Sequence, residues 1–165
     1  MESVKIIAGS IVAAVFYGIV HDQITVRICR AYFTVFHPHM FSTRSLTLLA
    51  IGWGTIATWW VGALLGIALA IASRAGGSAQ KRAAAELIRP VALLLACMAV
   101  CAIAAGSIGY FWGQAPPSVL DVLPANAQRT FVADLWAHTA SYLCGLAGGV
   151  VLCLETYRRR LRASI

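Results

Sequence analysis

From Ser45 to Ser73, and again from Pro90 to Leu120, the chain carries no Asp, Glu, Lys or Arg. Two further runs come close. Val4–Val20 is interrupted only by Lys5, and Val132–Tyr157 holds Asp134 and His138 near its start and Glu155 near its end. A helix needs about 20 apolar residues to cross the hydrocarbon of a bilayer, and each run can supply them. With 60% hydrophobic and 12% charged residues, against about 25% charged in a soluble domain, the chain reads as an all-α polytopic membrane protein. The expected architecture is one domain, residues 1–165, with four transmembrane helices in a bundle at about 4–23, 46–73, 90–114 and 131–157. The first run is expected to stay as a helix, because Lys5 is offset by Glu2 and no convincing cleavage site precedes the polar stretch after it.

Lys and Arg orient such a bundle. With the N-terminus inside, Lys5, Arg74, Lys81, Arg82, Arg89, Arg158, Arg159, Arg160 and Arg162 face the cytoplasm, and Arg27, Arg30, Arg44 and Arg129 face out. The expected location is therefore a bacterial inner membrane, multi-pass, with both termini cytoplasmic. The net charge of +7 is accounted for by this bias and by headgroup attraction, with the tail Tyr157–Arg162 against anionic lipid. No nucleic-acid partner is needed to explain it. The expected partners are the bilayer and either a second copy or another membrane protein.

The connections differ in kind. Gly76-Gly77-Ser78 opens a short basic loop leading to Pro90, a residue suited to a helix start. Between the first and second spans, Ile24, Ile28, Ala31 and Val35 share a face, with Arg27 and Arg30 on another. This pattern predicts a short interfacial or re-entrant helix over Ile24–Phe36, stopped by Pro38. Each span also carries a stripe of small residues that would let backbones approach. The stripes are Gly9, Ala13 and Tyr17, ending at His21; Gly52, Thr55, Trp59, Gly62 and Gly66; Ala102, Gly106 and Tyr110; and Asp134, His138, Ser141, Tyr142, Gly145 and Gly149. Trp53, Trp112 and Trp136 sit near the outer ends of spans, as an aromatic belt would.

Two of those stripes run into polar residues, so the polar groups should face other helices. Residues 17–39 hold three of the four histidines, and the candidate cluster is His21, Asp22, Gln23, Thr25, Arg27, Tyr32 and His37, joined by Asp134, His138 and Tyr142 from the last span. Asp134 and His138 are four apart and share a helix face. Ionisable side chains at membrane depth are costly and are retained where they pair or bind. Three readings stay open. In one, Asp22 and Asp134 pair with Arg27 or Arg30, the histidines bond to carbonyls, and the cluster is a structural clamp in a non-catalytic scaffold or subunit. In the second, the cluster is a pocket at the extracytoplasmic end for a metal ion or small ligand, with His21, His138 and Asp134 as the metal donors. In the third, His21 and His138 hold haem b, which nothing else in the chain supports, since CxxCH is absent.

No GxSxG, Walker A or HExxH sequence is present, so enzyme status stays open. Five cysteines without CxxC argue against thiol redox chemistry, and Cys97 with Cys101, four apart, read as packing residues before a soft-metal pair.

The string His21-Asp22-Gln23-Ile24-Thr25-Val26-Arg27, followed by Tyr32-Phe33-Thr34 and His37-Pro38, resembles the signature H-D-Q-[IV]-T-x-R…Y-F-T-x-x-H-P of a family of small bacterial four-span membrane proteins of unestablished function. Ala133–His138 with Ser141-Tyr142 is similar to that family's last span. The likeness covers about 30 of the 165 residues. It implies the four-span architecture and supplies no activity, cofactor or partner.

Overall fold

A computed structural model describes residues 1–76 and 80–163; Gly77 and Ser78 of the expected loop lie outside the described residues. The helices are α1 (Glu2–Ile28), α2 (Arg30–Thr34), α3 (Leu46–Arg74), α4 (Ala84–Trp112), α5 (Pro117–Leu120) and α6 (Ala125–Arg162). No strand occurs among the described residues. Four helices, α1, α3, α4 and α6, are long and apolar enough to cross a membrane. They form two close antiparallel pairs, α1 with α3 and α4 with α6, joined by looser contacts of α3 with α6 and α1 with α4. Both termini lie at one end of the bundle. The short helices α2 and α5 lie at the other.

The long helices overrun the expected spans, and capping explains where they stop. Helix α4 begins at Ala84, not at Pro90, because two carboxylates serve its first turn. Glu2 on α1 accepts from the Ala84 amide at 3.0 Å, and Glu86 accepts from the Ala83 amide at 2.9 Å. Pro90 falls inside the helix. With 38 residues, α6 is about 57 Å long, more than the roughly 30 Å hydrocarbon core requires.

The helix expected over Ile24–Phe36 is divided. Its first turn belongs to α1, where no Gly or Pro interrupts the helix and Asp22, Thr25 and Val26 are buried against the bundle. The chain then becomes extended at Cys29 (φ −138°, ψ 90°) and turns into α2. Phe33 of α2 is buried with Val26, Leu49, Ala50 and Trp53. Cys29 packs with Val119, Leu123 and Phe131 beneath α5. Trp53 is thus a core residue and not part of an outer belt, whereas Trp112 and Trp136 are exposed.

The contact faces also differ from the expected stripes. Toward α1, helix α3 presents Gly54, Thr58, Gly62 and Gly66, and the facing residues include Ser10, Ala14 and Gly18. Gly9 meets nothing and Trp59 is exposed. The helices are apolar nearly all round, so composition did not set which face turns inward.

Arg160 departs furthest from expectation. It is fully buried, while Arg158, Arg159 and Arg162 around it are exposed. Its guanidinium donates to the carbonyls of Gln80 (2.9 Å), Ala72 (2.7 Å) and Ala75. Ala72 and Ala75 end α3, where carbonyls lack helical partners and favour a cation. Arg160→Ala should therefore lower stability by about 3 kcal/mol, since a hydrogen bond to a charged group contributes about 1.5–3 kcal/mol. Thermal unfolding checks this, and Arg160→Lys should restore only part of the loss, lacking the fork of donors.

Candidate metal and ligand site

The polar cluster forms where the end of α1, the start of α6 and the overlying α2 meet. His21 and Asp22 come from α1, His138 from α6. One nitrogen or oxygen from each lies within 4.8 Å of the others. His138 Nδ1 is 2.8 Å from the Asp134 carbonyl oxygen, one turn back on α6. A carbonyl only accepts, so Nδ1 carries the hydrogen and Nε2 points to Asp22 Oδ1 at 3.3 Å. Two acceptors at that separation repel unless a proton or a metal cation lies between them.

His21 packs edge-on against His138, ring centroids 4.5 Å apart, and its Nε2 is buried with no hydrogen-bond partner among the described residues. Both carboxylate oxygens of Asp134 are likewise buried and unpartnered among them. Such orphaned atoms in a low-dielectric interior call for an ion, a water or a proton. The three-donor set contains Asp22 where the sequence pointed to Asp134; the Asp134 backbone, through its carbonyl, orients His138 instead. The edge contact between His21 and His138 leaves no slot for a porphyrin between the rings.

Helix α2 roofs the cluster. Tyr32 stacks on His138 at 4.7 Å, and its carbonyl accepts from His37 Nδ1 at 2.7 Å. His37 meets Trp53 at 4.6 Å. Burial, with the Asp134 carboxylate next in weight, pushes the Tyr32 phenol up to about 12. Tyr32 forms a wall of the cluster through its ring. Burial also raises the Cys29 thiol.

Four residues of the expected readings make other contacts. Arg27 does not meet Asp22. It bonds Gln23 Oε1 at 2.7 Å and Thr47 Oγ1 at 3.1 Å, while Gln23 Nε2 donates to the Thr47 carbonyl at 3.2 Å. Five residues on a helix turn Arg27 about 140° away from Asp22, so the Asp22–Arg27 clamp is replaced by an Asp22–His138 contact across helices. Arg30 is exposed. Thr25 donates back to the His21 carbonyl at 3.2 Å.

Below the cluster lies a cavity of about 500 Å³ reached by all four long helices. At its polar end the Tyr17 hydroxyl and Ser141 Oγ are 2.7 Å apart, and Tyr142 lines the wall. The sequence pattern places Tyr17 and Ser141 in packing stripes; their position one turn from His21 and His138 is the signal for a site role. Trp53 gave no such signal. Cys97 and Cys101 are exposed and take no part. Fold and site together define a four-span helical membrane protein with a buried His–Asp cluster over an apolar cavity. Among known proteins, the chain matches no family model, no curated protein and no solved structure.

Proposed function

We propose that this protein binds one divalent transition-metal ion, zinc(II) or copper(II) by donor type, through His21, Asp22 and His138 at the extracytoplasmic end of a bacterial inner-membrane bundle. The observation that supports this most directly is the 3.3 Å approach of His138 Nε2 to Asp22 Oδ1 with Nδ1 committed to a carbonyl. A zinc ion with bonds of about 2.0 Å holds tetrahedral donors roughly 3.3 Å apart. His21 offers a ring nitrogen within 4.8 Å of the other two donors. The Asp134 carbonyl bonded to His138 supplies the orienting partner usual for a metal-bound imidazole. Three protein donors leave a fourth position open.

Chelator-stripped protein in detergent, titrated calorimetrically with zinc(II), should bind one equivalent. Affinity should fall with decreasing pH, because a protonated imidazole cannot ligate. Absence of saturable binding for both zinc(II) and copper(II) overturns the reading. The rival is a clamp in which a proton occupies the same gap, favoured by the stacking of Tyr32 on His138; it requires no ion.

The orientation is proposed on the same charge bias, nine basic residues at the end with the termini against four at the other. Reporter fusions after Gln80 and after Arg162 should read as cytoplasmic, and a fusion within Ser118–Asn126 as periplasmic. The inverse pattern places the cluster on the cytoplasmic face.

A further inference from the structure

The hollow middle of the bundle has a shape that metal binding does not use. Its ends are closed, at one by the cluster and its α2 roof, at the other by the packed residues Ile6, Leu69, Ala70 and Leu87. Between them the cavity of about 500 Å³ falls within the roughly 300–1,000 Å³ of ligand sites. Protein interiors are otherwise close-packed, and an unfilled space of this size forfeits contact energy along its whole lining.

The cavity opens sideways. Four of its lining residues are exposed: Trp60 and Leu64 on α3, Tyr142 and Leu146 on α6. Each pair is four apart and so shares one helix face. The mouth therefore lies between α3 and α6, within two membrane-spanning helices, and opens to lipid. A ligand admitted there comes from the bilayer.

The chemistry of the wall narrows the class. No Lys or Arg lines the cavity among the described residues, and Asp22 does. A phosphate or carboxylate head would enter without a cation and face a carboxyl group. Hydroxyl groups are supplied by Tyr17, Ser141 and Tyr142, at the end nearest the cluster, and carbonyl acceptors match them. Tyr17, Trp53 and Trp60 offer ring faces for stacking on a flat head. The remainder, including Leu65, Leu94 and Leu152, is apolar.

We infer that the cavity binds a neutral, lipid-soluble ring compound with carbonyl acceptors and an apolar tail, the isoprenoid-quinone class, entering between α3 and α6. The head lies against Tyr17, Ser141 and Tyr142, and the tail fills the leucine-lined end or leaves through the mouth. The site does not depend on a bound metal, because its hydroxyl donors are not among the metal ligands.

The test is retention of decylubiquinone by the immobilised, full-length protein in detergent, read by its ultraviolet absorbance, with chelator present. Saturable one-to-one binding is expected. Leu146→Trp, which blocks an exposed position at the mouth, should weaken it at least about tenfold, and Tyr142→Phe about three- to tenfold, the range of one neutral hydrogen bond. Thermal melting should show both variants as stable as the parent, so a loss of binding is not a loss of fold. Non-saturable uptake, or retention unchanged in both variants, overturns the proposal. So does displacement by equimolar palmitate, which would assign the cavity to an anionic lipid. Zinc titration of the same preparations reads the metal site separately.

Discussion

His21→Ala should reduce zinc(II) affinity at least about a hundredfold while lowering the melting midpoint of the metal-free protein by only a few degrees. A hundredfold loss is about 2.7 kcal/mol, a modest figure for one of three ligands on a metal site. The variant is informative because His21 Nε2 has no hydrogen-bond partner among the described residues. Removing the ring thus breaks no polar bond at that nitrogen and removes only packing against Tyr17 and His138. His138→Ala should cost as much affinity, but it also strips Asp22 of its contact. A buried polar group left without its partner costs about 1–3 kcal/mol, so metal-free His138→Ala should melt lower than His21→Ala. Arg27→Gln should leave zinc affinity unchanged, since Arg27 bonds Gln23 and Thr47. A pure clamp gives a different pattern: no zinc bound by the parent and no special place for His21.

The number and order of the long helices were legible because lipid demands them. A charge-free run long enough to span leaves the backbone little alternative to a helix. That Asp22 and His138 belong to one site was legible in outline, since both sit near the same end of spans whose polar residues continue small-residue stripes. The pairing was not. Asp22–Arg27 is the nearer partner in sequence, and only the rotation of α1 against α6 decides that His138 wins. Trp53 shows the same limit. Near a span's end it reads as an interfacial tryptophan, and what covers it is the segment between α1 and α3, with Phe33 of α2, His37 and Phe41. Arg160 lay inside a run of four near-adjacent arginines, where nothing local separates the buried one from its exposed neighbours. Its role depends on where α3 ends, across the bundle.

The largest loss of folded protein is expected from Gly54. A Cβ at Gly54 would lie 2.6 Å from the Ile19 amide nitrogen and 2.7 Å from the Gly18 carbonyl carbon. A Cβ at Gly18 would in turn lie 2.6 Å from the Gly54 carbonyl oxygen. Both obstacles are backbone, so no side-chain rotation relieves them; α1 and α3 would have to separate. Glycine is otherwise a poor choice inside a helix, and alanine would gain about 1 kcal/mol in propensity. Overpacking costs about 1–3 kcal/mol even where side chains can shift, so clash outweighs propensity here. Gly54→Ala should lower stability by about 2 kcal/mol net, and Gly54→Leu should give no monodisperse folded protein on size-exclusion chromatography. Gly9→Ala, on the same helix as Gly18 but with nothing within 4 Å of its would-be Cβ, should be neutral or slightly stabilising. If Gly54→Leu folds and melts like the parent, α1 and α3 do not meet at this point. His21 and Asp22, one turn beyond Gly18 on α1, would then lose the contact that holds them opposite His138.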